Sequence, residues 1–155
     1  MRVVLDTNIV CSALLTPGGI PDQLYQSWRE RRFTLITSAE QLEEFRRVTR
    51  YPRVRAFIEP GAAGSMHNEL RHLTMLLTDL PTIELAMDPG DSFLLAMSQA
   101  GAADFLVTGD KHDLLSVGVF QKTRIVTARQ LLERLGTVRA RARKRPAKRR
   151  TRRHR

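Results

Sequence analysis

Residues 3–15, VVLDTNIVCSALL, join a short apolar run to a stretch with helical periodicity and set the pattern for the rest of the chain. Val3–Leu5 has the composition of a buried strand, and Asn8–Leu15 that of a helix closed by Pro17 and two glycines. The same alternation continues. Further strands are predicted at Phe33–Thr37, Thr82–Met87, Phe105–Thr108 and Arg124–Val126, and further helices at Ile20–Arg31, Ser38–Arg50, Ser65–Leu77, Asp91–Ala100 and Ala128–Leu135. This alternation predicts an α/β fold, a three-layer α/β/α sandwich around a central, mostly parallel sheet.

Basic residues are concentrated at the carboxyl end of the chain. Of 155 residues, 26 are Lys or Arg and 16 are Asp or Glu, which gives a formal net charge of +10. Residues 139–155 hold 11 of the basic residues and no acidic one, so 15 basic and 16 acidic residues remain in 1–138. Because this end lacks large apolar side chains, we predict one domain over residues 1–136 and a disordered Arg/Lys-rich tail over 137–155.

Two roles are open for this tail. It is either a solvated segment that aids solubility or an arm that attracts nucleic-acid phosphates without reading sequence. On the second interpretation, the candidate nucleic-acid-binding residues are Arg143, Lys144, Arg145, Lys148, Arg149, Arg150, Arg152 and Arg153.

Composition excludes several classes of protein. The chain is 42% hydrophobic and 27% charged, as in ordinary globular domains, and no apolar run approaches the ~20 residues that span a bilayer. No charged and then apolar leader opens the sequence, so we expect neither secretion nor a membrane partner. The single cysteine, Cys11, excludes an internal disulfide framework and favours the cytoplasm. The four histidines lack zinc-ligand spacing.

Acidic residues follow the predicted strands. In open α/β sheets, ligands bind beyond the carboxyl ends of the strands, where these acids should converge. Carboxylates brought close together repel one another, and hard divalent cations such as Mg²⁺ or Mn²⁺ relieve that repulsion. The acids in question are Asp6 after the first strand, Asp88 and Asp91 after the third, and Asp110 and Asp113 after the fourth.

Each of these acids also has a purely structural explanation. Asp6 is a good N-cap for the first helix, and Asp88, followed by Pro89, is a good N-cap for the helix after it. Asp91 shares a helix face with Leu94 and Leu95, so it should point toward the sheet, as a ligand would. Asp110 and Asp113 could each form an ordinary Asx turn, and Asp110 is preferred as a ligand because it is nearer the strand end.

Helical geometry separates two neighbouring glutamates. At ~100° per residue, Glu44 lies about 40° from Val48, at the edge of the apolar stripe, whereas Glu43 points nearly the opposite way. Glu44 is therefore expected to reach a cleft beside the core, and Glu43 to be solvated. An ion pair of Glu44 with Arg47 or Arg50 is the alternative.

The sequence resembles the PIN-domain family of metal-dependent nucleases, especially the VapC-like toxin components of toxin–antitoxin pairs. The resemblance covers roughly residues 2–135 and none of the basic tail. One of its motifs alone would carry little weight, but four in the same order and spacing are specific. The motifs are VVLDTNIVCSALL (3–15), TSAEQLEEFRRV (37–48), MDPGDSFLLAMSQAGAADFLVTGDKHDLL (87–115) and RIVTARQLL (124–132).

The resemblance implies that Asp6, Glu44, Asp91 and Asp110 form a catalytic acidic quartet that binds one or two Mg²⁺ or Mn²⁺ ions. Asp113 would be an accessory metal ligand, and Thr7, Asn8 and Thr108 would orient carboxylates and water. The implied activity is hydrolysis of RNA phosphodiester bonds by a metal-activated water. The implied partners are an RNA substrate, a cognate antitoxin protein and a second copy in a homodimer.

Other functions remain open beside a toxin nuclease. A phosphatase of the haloacid-dehalogenase type would need a second Asp where Asn8 stands, and a dinucleotide-binding fold would need a glycine-rich turn there. A housekeeping RNA-processing nuclease would carry the same acids. A non-catalytic module that binds RNA or an antitoxin would not need four convergent acids and should not respond to metal.

Overall fold

Six strands form one central sheet in the structure, a computed structural model that describes residues 1–84, 88–109 and 114–143. The strands are β1 (Arg2–Leu5), β2 (Thr34–Ser38), β3 (Met75–Leu77), β4 (Phe105–Val107), β5 (Val119–Phe120) and β6 (Thr123–Val126). Their spatial order is β3-β2-β1-β4-β6-β5. All neighbours pair in parallel except β5 and β6, which form an antiparallel edge. The predicted α/β class with a mostly parallel sheet is confirmed.

Helices cover both faces of this sheet. They are α1 (Thr7–Leu15), α2 (Ile20–Arg29), α3 (Ala39–Thr49), α4 (Pro52–Arg55), α5 (Ala62–Leu73), α6 (Pro89–Ala100), α7 (Leu114–Val117) and α8 (Ala128–Arg143). Apolar residues of α1, α2, α3, α5 and α8 form one core with one face of the sheet, and those of α6 and α7 form a second core with the other. The layers are therefore helix, sheet and helix.

Strand β1 shows how the two cores are divided. Val3 and Leu5 belong to the first core and Val4 to the second, because successive side chains of a strand point to opposite faces. All three are at most 1% exposed. A continuous apolar run is what a parallel strand covered by helices on both faces requires.

The strand order changes direction between β1 and β4. The chain builds β1, β2 and β3 outward on one side, then returns past β1 to place β4 and β6 on the other. Such a switch point opens a crevice beyond the carboxyl ends of the two adjacent strands. Asp6 follows β1 and Thr108 follows β4, so both lie at this crevice.

The prediction for the third strand was wrong. Residues 82–84 of the predicted strand Thr82–Met87 are not in a strand, and residues 85–87 lie outside the described residues. The predicted helix Ser65–Leu77 instead ends at Leu73, and Met75–Leu77 pairs in parallel with β2. Thr74 makes this change possible, because its backbone is extended and its Oγ1 donates to the carbonyl of Leu70 at 2.5 Å. Pairing with a distant strand overrides the local helical pattern.

Helix α8 is longer than predicted. Gly136 was expected to end it, but the helix continues to Arg143. A glycine costs an exposed helix interior only about 1 kcal/mol, which the flanking helix formers offset. The short elements α4, α7 and β5 were not predicted. Among the residues that the structure describes, no helix combines the length and apolar character needed to cross a bilayer.

Candidate active site

An open cleft of about 470 Å³ lies at the crevice between β1 and β4. Three of the acidic residues singled out from the sequence, Asp6, Glu44 and Asp91, line it together. Its other lining residues are Thr7, Asn8, Ile9, Ser12, Gly90, Phe93, Leu94 and Gly109. The N-cap of α1, the middle of α3 and the first turn of α6 thus each supply one carboxylate to the same cavity.

Asp6 is held from two sides. One carboxylate oxygen accepts the backbone N–H of Asn8 at 3.1 Å, so Asp6 is the N-cap of α1. The other accepts a hydrogen bond from Oγ1 of Thr108, a fully buried residue, at 2.9 Å. Helix capping and metal binding are compatible roles for Asp6, because a carboxylate has about four lone-pair sites and capping uses only one of them.

Glu44 is fixed by the first helix. Thr7, which is 3% exposed, donates its hydroxyl to Oε2 of Glu44 at 3.1 Å. Glu44 is half-buried and Glu43 is exposed, which agrees with the helical geometry read from the sequence. The structure places Glu44 against Thr7 rather than in an ion pair with Arg47 or Arg50.

Gln41 connects these elements and was missed in the sequence analysis. Its side-chain amide donates to the carbonyl of Leu5 at 2.7 Å and to Oγ1 of Thr7 at 3.4 Å, and its Oε1 accepts from Thr37 at 2.8 Å. Gln41 is 5% exposed and lies one turn before Phe45 on the buried face of α3. A polar residue on an apolar stripe was the signal that could have revealed it.

Asp88 and Asp91 have different roles in α6. Asp88 is exposed and accepts the backbone N–H of Gly90 at 2.8 Å, which confirms it as the N-cap. Asp91, in the first helical turn, is half-buried and lines the cleft. The positive end of the helix dipole favours a charged carboxylate at this position.

Asp110 and Asp113 lie outside the described residues. Gly109, the residue before Asp110 in the sequence, lines the cleft. The tail residues from Lys144 onward also lie outside the described residues, and of Arg143 only the helical backbone is described.

Cys11 is buried beside the carboxylates. Burial raises the pKa of its thiol to about 11, and the nearby charges of Glu44 and Asp6 contribute to the rise. The thiol therefore stays protonated at neutral pH and is a poor nucleophile. The residue serves as a small packing group of the core.

The donor groups around the cleft suit a hard cation. Asp6, Glu44 and Asp91 supply carboxylate oxygens, and Asn8 and Ser12 add amide and hydroxyl oxygens. Oxygen-rich sites of this kind favour Mg²⁺ or Mn²⁺ over zinc or copper. Within residues 1–84, 88–109 and 114–136, no three acidic, histidine or cysteine side chains come close enough together to hold an ion. Three carboxylates thus share the cavity without forming a compact metal site among themselves.

Comparison with known proteins agrees with this architecture. The family model of the PIN domain matches residues 2–112, a range that contains Asp6, Glu44, Asp91 and Asp110 but ends before Asp113. An uncharacterized protein of Methanocaldococcus jannaschii is 27% identical over 123 residues, which cover 76% of this chain and 75% of the relative. No solved structure matches the chain significantly. Because the family model spans well over half of the sequence, the chain belongs to the PIN domain family, whose members are generally nucleases.

Proposed function

We propose that the protein is a metal-dependent endoribonuclease that hydrolyses RNA phosphodiester bonds in the cleft between β1 and β4. The observation that carries this proposal is that Asp6, Glu44 and Asp91, which belong to three separate segments of the chain, line one cavity at the switch point of the sheet. Carboxylates that share a cavity repel one another and an anionic substrate, so a phosphodiester can enter only with a counter-ion. Membership of the PIN domain family supports the same reaction class.

The described residues would hold and orient the reacting groups. Thr108 and the N–H of Asn8 fix the two oxygens of Asp6, and Thr7 fixes one oxygen of Glu44. These bonds leave lone pairs on both carboxylates for a ligand in the cleft. With Asp91, and with Asp110 and Asp113 as proposed further ligands, they would bind one or two Mg²⁺ or Mn²⁺ ions.

Such an ion, when bound, lowers the pKa of a water molecule and stabilises negative charge on the scissile phosphate. The chain itself needs no nucleophilic side chain, in agreement with the protonated state of Cys11. The resemblance to PIN-domain nucleases implies that the 3′ oxygen leaves, so we expect products with a 5′-phosphate and a 3′-hydroxyl. The 2′-hydroxyl of the substrate takes no part.

The reaction class can be tested on a pool of single-stranded RNAs. We expect purified protein to cleave RNA with Mg²⁺ or Mn²⁺ and to be inactive in EDTA, since the carboxylates alone cannot neutralise the phosphate. Substrates with 2′-O-methyl groups at the cleaved site should still be cut. Activity in EDTA that leaves 2′,3′-cyclic phosphates would refute the proposal. Asp6→Asn protein prepared identically controls for contaminating nucleases.

The basic tail is proposed to strengthen RNA binding. Residues 1–138 carry one more acidic than basic residue, so the domain alone has little net attraction for RNA. Deleting 144–155 removes eight Lys and Arg residues, and we expect weaker RNA binding and a flatter dependence of affinity on salt, with cleavage chemistry retained. Filter binding between 50 and 200 mM salt measures this. If both proteins bound RNA with equal affinity at low salt, the RNA-binding role of the tail would be refuted, and the tail would be a segment that aids solubility.

We further propose that the enzyme acts in the cytoplasm as a homodimeric toxin that a small antitoxin protein masks. This role rests on the resemblance of the four motifs to VapC-like toxins. Co-purification with the product of a short neighbouring reading frame, and loss of cleavage in that complex, would support it. A protein that is harmless when expressed alone, yet active as a nuclease, would instead be a housekeeping enzyme.

A further inference from the structure

A second groove, of about 650 Å³, lies beside α3 on the opposite flank from Glu44. Three arginines line it, Arg46 and Arg50 from α3 and Arg55 from α4, against a single acidic side chain, Glu59. Its remaining lining residues are Phe45, Thr49, Ile58, Pro60, Gly61, Ala63, Gly64 and His67. The groove is thus basic, whereas the cleft at the switch point is acidic.

The arginines of this groove are available to a ligand. All three are exposed, and no ion pair joins any of them to a carboxylate in the part of the chain that the structure describes. Arg46 and Arg50 are one helical turn apart, so their side chains lie on neighbouring positions of the same face. Two cations on such a face can bind successive phosphates of a nucleic acid.

His67 is one of the residues that line the groove. Its ring stacks on Phe45 with a centroid separation of 6.4 Å and an interplanar angle of 25°. Burial lowers the pKa of His67, and the charges of Arg46, Arg71 and Arg50 lower it further against the opposing effect of Glu43. Three arginines and one glutamate thus lie near enough to affect the charge of the imidazole, which is mostly neutral at pH 7.

Two exposed aromatic residues, Tyr51 and Phe57, are the chain neighbours of Arg50 and Ile58, which line the groove. Phe57 is 75% exposed and Tyr51 is 48% exposed, and they flank α4, which supplies Arg55. Large aromatic side chains are costly to leave in water. Aromatic rings beside arginines are the usual combination for single-stranded nucleic acids, because bases stack on the rings while the arginines bind phosphates.

The solvent face of α3 connects the groove to the cleft. At ~100° per residue, Arg47 lies about 60° from Glu44 on the exposed side, Arg50 about 60° further, and Arg46 beyond it. Glu40, about 40° from Glu44, and Glu43 are the acidic side chains on this arc. A strand that leaves the cleft at Glu44 would therefore pass Arg47 before it reaches Arg50 and Arg46, which line the groove.

We propose that this groove, formed by α3, α4 and the start of α5, binds the single-stranded RNA chain that extends from the scissile bond. Arg46, Arg50 and Arg55 bind its phosphates, and Tyr51 and Phe57 stack on its bases. The inference rests on the proposed nuclease function for the identity of the ligand, but binding can be measured without cleavage.

The first test measures binding in EDTA with full-length protein and RNA oligonucleotides of 4 and 12 nucleotides. For Arg46→Gln/Arg50→Gln we expect about tenfold weaker binding of the 12-mer at 0.1 M salt and a salt slope lower by about 1.4, because two phosphate contacts are lost. The 4-mer is too short to follow the groove, and the acidic cleft does not attract it without a metal ion, so its binding should be weak and the same in both proteins. The matched control Arg124→Gln/Arg129→Gln removes two exposed arginines elsewhere. Equal losses in both double variants would overturn the proposal.

The aromatic contribution has its own control. Phe57→Ala should weaken 12-mer binding about fivefold through lost stacking. Leu73→Ala, which removes another exposed apolar side chain far along α5, should leave it unchanged. Equal affinity of the Phe57→Ala and wild-type proteins would remove Phe57 from the interface.

The second test follows the His67 ring by NMR, assigned with His67→Gln. Phosphates placed among Arg46, Arg50 and Arg71 should raise the His67 pKa on addition of the 12-mer and leave it unchanged with the 4-mer. A peptide of ten glutamates tests the alternative that the groove binds an acidic protein segment. The RNA assignment would be overturned if this peptide bound more tightly than RNA and if its binding were lost in Arg46→Gln/Arg50→Gln. If the protein bound the 12-mer but showed no metal-dependent cleavage, the nuclease proposal would be refuted and the groove proposal would stand.

Discussion

Asp6→Asn is expected to lower metal-dependent RNA cleavage by about a thousandfold or more, beyond the roughly 10–100-fold loss typical of residues that only orient ligands. The substitution removes one negative charge from the cleft at the end of the central strand β1. Without this carboxylate, the site loses affinity for the cation on which the proposed chemistry depends. Cleavage rates at saturating Mg²⁺ and Mn²⁺ measure the effect.

The fold should survive this substitution. Asn is as good an N-cap as Asp, so α1 keeps its first hydrogen bond, and the Thr108 hydroxyl can rotate to accept from the new amide. We expect the free energy of unfolding to change by less than about 1 kcal/mol, as measured by urea denaturation. Asp6→Ala would lose the cap as well and is a less clean variant.

Asp88→Asn is the matched control for Asp6→Asn. It makes the same change at the N-cap of α6, where the side chain is exposed and does not line the cleft. Cleavage should stay within about twofold of wild type, since only Gly90 depends on this cap. If both variants lost activity equally, the loss would reflect the helix starts rather than the charge in the cleft. Full activity of Asp6→Asn would refute the acidic site itself.

Glu44→Gln is expected to lower cleavage by about a hundredfold or more and to raise the Mg²⁺ concentration needed for half-maximal activity. The amide keeps the size of the side chain and can still accept the Thr7 hydroxyl, so only the charge is lost. Metal titration followed by calorimetry separates weaker ion binding from impaired chemistry.

The neighbouring Glu43→Gln variant provides the control within the same helix. Glu43 is exposed and does not line the cleft, so its neutralisation changes the net charge equally without touching the site. Cleavage and metal affinity should remain within about twofold of wild type, because exposed charges are screened by solvent and salt. Equal effects of the two substitutions would show that general electrostatics, not a ligand role of Glu44, governs activity.

Much of the fold follows from short stretches of sequence. Asp6, Ser38 and Asp88 each cap a helix through bonds to backbone groups two or three residues ahead, so their patterns can be read locally. The half-buried position of Glu44 also follows from the helical period alone. The apolar strands β1 and β4 are recognisable because a parallel strand is buried on both faces.

Other features depend on partners far away in the chain. Residues 75–77 fit the helical periodicity of the segment before them. They form a strand because they pair with the edge of β2. Local propensity differs by less than about 1 kcal/mol per residue between such states, so long-range pairing decides the outcome. The hydrogen bonds of Gln41 to Leu5 and Thr37 are invisible in the sequence for the same reason.

The sequence by itself determined that Asp6 follows a strand of a mostly parallel α/β sheet and that Asp91 lies in the first turn of a helix, because capping and burial are local properties of each segment. Only the tertiary structure decided that Asp6, Glu44 and Asp91 share one cleft, that Thr7 and Thr108 hold the first two, and that Arg46, Arg50 and Arg55 border a separate groove. The physical reason is the strand order. Convergence of side chains from separate helices requires the reversal between β1 and β4, which long-range pairing and burial of two cores select.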